Sequence, residues 1–168
     1  ALKTQDPTYI VSEENKTISR ILPKTTIEEF KSNINVQSSK IHILDNKEQT
    51  EITQGYIGTG MKIKIDDYTT IYTASVIGDL TGDGEIKQIE VSKTIKHVIG
   101  LQKHQLTGVD AMSADVDGNG VIEQKDVSIL IKYVVFGRLE IGEISKNTKP
   151  ILTVTGTKIK EDSIWYTA

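Results

Sequence analysis

The sequence predicts a β-rich α+β domain at the N-terminus, followed by an all-α pair of loop–helix units. Three observations carry this. Short runs of alternating apolar and polar residues fill roughly residues 7–74. From Ile77 the apolar spacing changes to the helical period. The helical stretch also repeats itself at an offset of 36 positions, between Asp79 and Asp115. These features divide the chain into residues 1–76, residues 77–140, and a C-terminal segment, 141–168.

In the first segment, Tyr9-Ile10-Val11 and Thr17–Ile21 read as short strands around the turn-prone Glu14-Asn15-Lys16. Pro23 breaks that pattern. Thr26 and Glu29 then form a capping box, in which hydroxyl and carboxylate satisfy amides that the first helical turn leaves unpaired. The ensuing helix places Ile27, Phe30 and Ile34 on one face. Ile41 and Ile43 alternate with Lys40 and His42, as in a half-buried strand, and Met61, Ile63 and Ile65 alternate with Lys62 and Lys64. Thr69–Val76 is rich in β-branched and aromatic residues and reads as a last strand running into the repeat without a flexible linker. The N-terminal domain is therefore expected to pack on the repeat.

In the repeat, Asp83 aligns with Asn119, Gly84 with Gly120, Ile86 with Ile122, Glu90 with Asp126, Val91 with Val127 and Lys96 with Lys132. Each copy opens on a twelve-residue acidic loop. Calcium is a hard cation that takes six to eight oxygens at about 2.4 Å, and such a loop supplies them from positions 1, 3, 5, 7, 9 and 12. In the second loop these are Asp115, Asp117, Asn119, the Val121 carbonyl, Glu123 and Asp126, with Gly120 where the chain must turn sharply. In the first they are Asp79, Thr81, Asp83, the Glu85 carbonyl and Glu90, with Lys87 at position 9. Thr81 offers only a neutral hydroxyl and Lys87 brings a positive charge. Two calcium sites are expected, the Asp115–Asp126 site the stronger. The competing readings are an acidic turn without metal in the second loop and a degenerate turn that only keeps the fold in the first.

A complete EF-hand has a helix on each side of its loop. Here Thr73–Gly78 reads as strand and turn, so the first entering helix is missing. The exiting helices are clear: Val91, Ile95, Val98 and Ile99 share one apolar face, and Val127, Leu130, Ile131 and Val134 another. Gly100 and Gly137 stop them. A short middle helix is expected within Thr107–Ala114.

This half-EF-hand layout resembles the dockerin family. Gly78-Asp79-Leu80-Thr81-Gly82-Asp83-Gly84 and Ala114-Asp115-Val116-Asp117-Gly118-Asn119-Gly120, each leading into a Val-Ser helix, carry the resemblance over about 77–139. It implies an all-α pair of half EF-hands that folds on calcium and binds a cohesin-like partner through its exposed helix faces. The family's recognition positions fall on Gln88, Ile89, Ile95 and Lys96, and on Gln124, Lys125, Ile131 and Lys132. These depart from the family's common Ser/Thr and Lys-Arg pattern. Ile95 and Ile131 lie on the apolar faces and are read as core. That leaves Gln88, Ile89, Lys96, Gln124, Lys125 and Lys132 as partner contacts, with solvated surface as the plain reading of Gln88, Gln124 and Lys125.

Other classes find little support. A net charge of -3 with no basic stripe gives no field for nucleic acid. The absence of cysteine excludes disulfides, zinc–thiolate sites and thiol catalysis. No apolar run approaches the roughly 20 residues that span a bilayer. Gly58-Thr59-Gly60 lacks the third glycine and the helix of a nucleotide fingerprint, and reads as a turn. His42, His97 and His104 are scattered, no nucleophile motif appears, and no small-molecule substrate is expected. The acidic pairs are accounted for by calcium, so no enzyme is expected. One tryptophan and few aromatics speak against a carbohydrate-binding accessory domain. The chain reads as a fragment at both ends. Ile151–Gly156 and Ile164-Trp165-Tyr166 read as strands, in the manner of an opening immunoglobulin-like repeat.

The leading expectation is thus a non-catalytic, calcium-dependent docking module of a secreted bacterial protein, at the cell surface or outside the cell. The alternative is a calcium-stiffened structural module of a surface protein or filament, contacting neighbouring subunits.

Overall fold

A computed structural model describes residues 8–141 together with Leu2 and Thr4. The C-terminal strands expected at 151–156 and 164–166 lie outside the described residues.

Five strands form one mixed sheet: β1 (Ile10–Ser12), β2 (Thr17–Ile21), β3 (Ile41–Leu44), β4 (Lys62–Ile65) and β5 (Ile71–Val76), in the order β1-β2-β5-β4-β3. In this sheet β2 and β5 run parallel, and the other neighbours are antiparallel. The helix α1 (Ile27–Ser32) starts at the expected box: Thr26 Oγ1 accepts from Glu29 N–H at 3.1 Å, and Glu29 Oε1 accepts from Thr26 N–H at 3.0 Å. It covers the sheet with Ile27 and Phe30, and Ile34 lies just past its end. All three are buried against Ile18, Ile43, Ile63 and Tyr72 in the main core. Alternation set these strands correctly: Ile41 and Ile43 point inward from β3, and Ile63 and Ile65 from β4.

The remaining helices are α2 (Gln88–Val98), α3 (Gly108–Ala114) and α4 (Gln124–Phe136). They close a second, smaller core of Ile77, Ile86, Val116, Ile129, Leu130 and Ile141.

The expectation of a separate all-α pair is overturned. The fold is a five-stranded mixed sheet carrying several helices, and the helical half is built onto the sheet. β5 runs directly into the first loop, where the Ile77 amide donates to the Ile21 carbonyl at 2.8 Å. α3 packs on β5 and β2. The physical reason is the missing entering helix: without it, the first loop takes support from Lys24 and Thr59 of the sheet half as well as from α4. The β-rich reading of the N-terminal part agrees with the structure.

Candidate metal centres

Each loop gathers three carboxylates whose oxygens lie within 4.8 Å of one another: Asp79, Asp83 and Glu90 in the first, Asp115, Asp117 and Asp126 in the second. Like charges this close repel in a protein interior, and a bound cation is one way to hold them ionised together.

In the first loop Asp79 is fully buried and accepts backbone hydrogen bonds on both oxygens. Oδ1 receives the amides of Gly82 (2.8 Å) and Thr81 (3.1 Å); Oδ2 receives those of Thr59 (2.8 Å) and Gly84 (2.9 Å). Gly84 has φ +78°, the left-handed turn that brings its amide inward. Glu90 is also fully buried. As the third residue of α2 it reaches back to the Lys87 amide through Oε1 (2.8 Å), while Thr81 Oγ1 donates to Oε2 (2.8 Å). Thr81 thus points into the cluster. Lys87 folds over the loop from outside, its Nζ 2.9 Å from Asp83 Oδ2 and 3.7 Å from Glu85 Oε2. At Asp83 partial burial is outweighed by the bonds from Lys87 and the Glu85 amide, and its carboxyl sits below the usual range.

In the second loop Asp115 accepts from the amides of Gly120 (2.8 Å, Oδ2) and Asn119 (3.1 Å, Oδ1). Asp126 Oδ1 accepts from Val116 N–H (2.9 Å) and Oδ2 from Glu123 N–H (2.9 Å). Asn119 Nδ2 donates to Glu123 Oε2 at 2.8 Å, and the Asn119 Oδ1 accepts from the Val121 amide at 3.0 Å. Asp117 Oδ2 is buried without a hydrogen-bond donor, its nearest cation being Lys125 Nζ at 3.5 Å. Burial pushes the Asp115 carboxyl up to about 7, with the negative charges of Asp126 and Asp117 adding to it against the Gly120 amide and Arg20. Burial likewise pushes Asp126 up to about 6.

Both clusters fit a hard cation. The donors are all oxygens, one buried carboxylate oxygen lacks a donor, and Asp115 and Asp126 are held where ionisation is costly. Asp79, Thr81, Asp83, the Glu85 carbonyl and Glu90 would hold one ion. Asp115, Asp117, Asn119, the Val121 carbonyl, Glu123 and Asp126 would hold the other.

The helix faces differ from the sequence reading. Ile95 and Ile131, read as core, are 37% and 44% exposed. The inward positions of α2 are Glu90 and Thr94; those of α4 are Asp126, Val127, Ile129 and Leu130. A helix that starts on a buried carboxylate must turn that residue's face inward, which rotates Ile95 and Ile131 out. Together with Val134 and Val135 they line a groove of about 430 Å³ between α2 and α4, which Gln88 and Lys96 also border. Ile89, Gln124 and Lys132 are exposed outside it, and Lys125 turns toward Asp117.

Three site-supporting residues had no sequence signal: Arg20 and Thr59 from the sheet domain, and Ser113 from α3. Arg20 donates to the Asp115 and Val116 carbonyls. Thr59 reaches Asp79 as above. Ser113 Oγ lies 2.7 Å from Ser75 Oγ and 3.2 Å from Thr59 Oγ1.

Residues 77–135 match the family model of the type I dockerin domain, from the residue after β5 to within α4. No curated protein and no solved structure matches the chain.

Proposed function

We propose that the type I dockerin domain at residues 77–135 docks this chain onto a cohesin module, with calcium in both loops. A dockerin domain is a non-catalytic docking unit, which binds calcium and a cohesin. The observation that carries the reading is the apolar face of α2 and α4. Ile95, Ile131, Val134 and Val135 open onto the groove, and Ile99 and Phe136 are exposed at the C-terminal ends of the same two helices. A contiguous apolar surface of this kind is unfavourable against water and marks a place where another protein sits. Gln88 and Lys96 border the groove, and Ile89, Gln124, Lys125 and Lys132 are the further contacts that this reading assigns to the partner.

The assignment of residues 1–76 as a companion domain and 77–140 as the docking module belongs to the same reading. So does a secreted or cell-surface bacterial setting, where calcium is plentiful. No helix among the described residues is long and apolar enough to cross a membrane.

The test is titration of the intact chain with cohesin modules of different types, in calcium and again with chelator. Binding in calcium alone supports the reading, and Ile95→Asp with Ile131→Asp together should weaken it at least a hundredfold, as expected for apolar anchors at an interface centre. Failure with every cohesin, accompanied by ordered multimers, would favour a calcium-stiffened structural module. The tight joint between sheet and loops is the feature that favours that second reading.

A further inference from the structure

We infer that the N-terminal sheet domain is part of both metal sites, with Arg20 positioning the second loop and the turn at residues 57–60 positioning the first. The inference rests on the reading that the loops bind calcium.

Arg20 sits in β2 with φ +64°, uncommon for a residue with a side chain. The pairing of β2 with β5 shifts register between Ile18 and Ile21, so Arg20 lies at the irregularity. A bulge of this kind re-aims the side chain it carries. Here the guanidinium is aimed at the second loop, 95 residues away in sequence. Nη1 donates to the Asp115 carbonyl (3.1 Å) and Nη2 to the Val116 carbonyl (2.8 Å). The planar fork holds two successive carbonyls at once, which fixes the peptide planes between ligand positions 1 and 3. It also lies beside Gly118, where a Cβ would stand 3.4 Å from Arg20 Cζ. Asp115 and Asp117 extend from the backbone so fixed.

The first loop is held from the turn before β4. The Thr59 amide donates to Asp79 Oδ2, the same oxygen that takes the Gly84 amide. The Thr59 hydroxyl accepts from the Val76 amide (2.9 Å), which locks the turn to the end of β5. Gly58 lies so close to the loop that a Cβ there would run into the Gly82 carbonyl. The Lys24 amide donates to the Gly84 carbonyl at 2.7 Å. Thr59, Gly58 and Lys24 all belong to the sheet domain. They hold the first loop from the side, while β5 stands in sequence where an EF-hand has its entering helix.

Groups that orient metal ligands from behind matter to affinity, and their loss typically weakens metal binding by about tenfold or more. The two loops can be followed separately in the intact chain by amide spectra, because the Gly84 and Gly120 amides each bond to the first ligand of their own loop. Arg20→Met should weaken calcium binding at Gly120 roughly tenfold and leave the Gly84 midpoint in place. Arg20→Lys, which keeps the charge but not the fork, should recover less than half of that loss and provides a milder variant should the first not fold. Gly58→Ala should do the reverse, weakening binding at Gly84 alone. Equal shifts at both glycines, or an unmoved Gly120 midpoint in Arg20→Met, would overturn the inference while the calcium reading stands. A wild-type chain in which neither glycine responds to calcium would overturn both.

Discussion

The two loops share a repeat but solve the same electrostatic problem differently. The first buries Asp79 and Glu90 completely and surrounds Asp79 with four backbone amides, one of them from the sheet domain. Its remaining carboxylate, Asp83, is already paired with Lys87. The second loop is as well supplied with internal donors but leaves Asp117 Oδ2 without one. Burial lifts Asp115 and Asp126 well above the usual carboxylate range. The contrast teaches that preorganisation and need for the ion are separate quantities. The first loop is shaped in advance and carries its own cation. The second is held at the backbone too, and its nearest cation stands farther off, Lys125 Nζ being 3.5 Å from Asp117 Oδ2 against 2.9 Å for Lys87 and Asp83.

Removing the metal gives the largest effect with which to break this comparison. An ion present at a thousand times its dissociation constant stabilises the folded state by about 4 kcal/mol per site. For a chain of this size that corresponds to a melting shift on the order of 10 °C. Thermal unfolding with and without chelator measures it, and an unmoved midpoint would remove calcium from the account. Hydrogen exchange in chelator should then show the second loop opening before the first.

Next in size is the loss of a single ligand. Asp126→Ala should abolish the tighter calcium step and Glu90→Ala the weaker one, each by tenfold or more, read by calorimetry. The opposite order would reverse the ranking of the sites. The smallest effect is expected from Lys87→Gln. Freeing Asp83 from its ion pair should strengthen the first site a few-fold and leave the second unchanged, since the pair is solvent-exposed and screened. A first site that weakens instead would mean that Lys87 orders the loop rather than competing with the ion.

Legibility in the sequence tracks the range of the interactions. The Thr26–Glu29 box and the inward residues of β3 and β4 are local, so spacing alone placed them. The gathering of Asp79, Asp83 and Glu90, and of Asp115, Asp117 and Asp126, was legible because these residues recur at close, repeated intervals in the sequence. Ile95 and Ile131 were misjudged as core because periodicity identifies an apolar face without saying what it meets. The deciding fact is the burial of Glu90 and Asp126, which sets the rotation of each helix. The fold class failed at the same point where no local signal existed. Nothing near Arg20 announces a partner at Asp115, and nothing near Thr59 announces Asp79 or Ser113.

The place of β5 in the sheet has a mechanical consequence. It is the middle strand, with β2 on one side and β4 on the other, and only the tight turn at Ile77 and Gly78 separates it from Asp79. A pull on the helical face reaches the rest of the chain along β5. Its ladders to both neighbours lie across that direction and are loaded together in shear, so they do not open one bond at a time from an edge. A joint made this way resists stretching along β5.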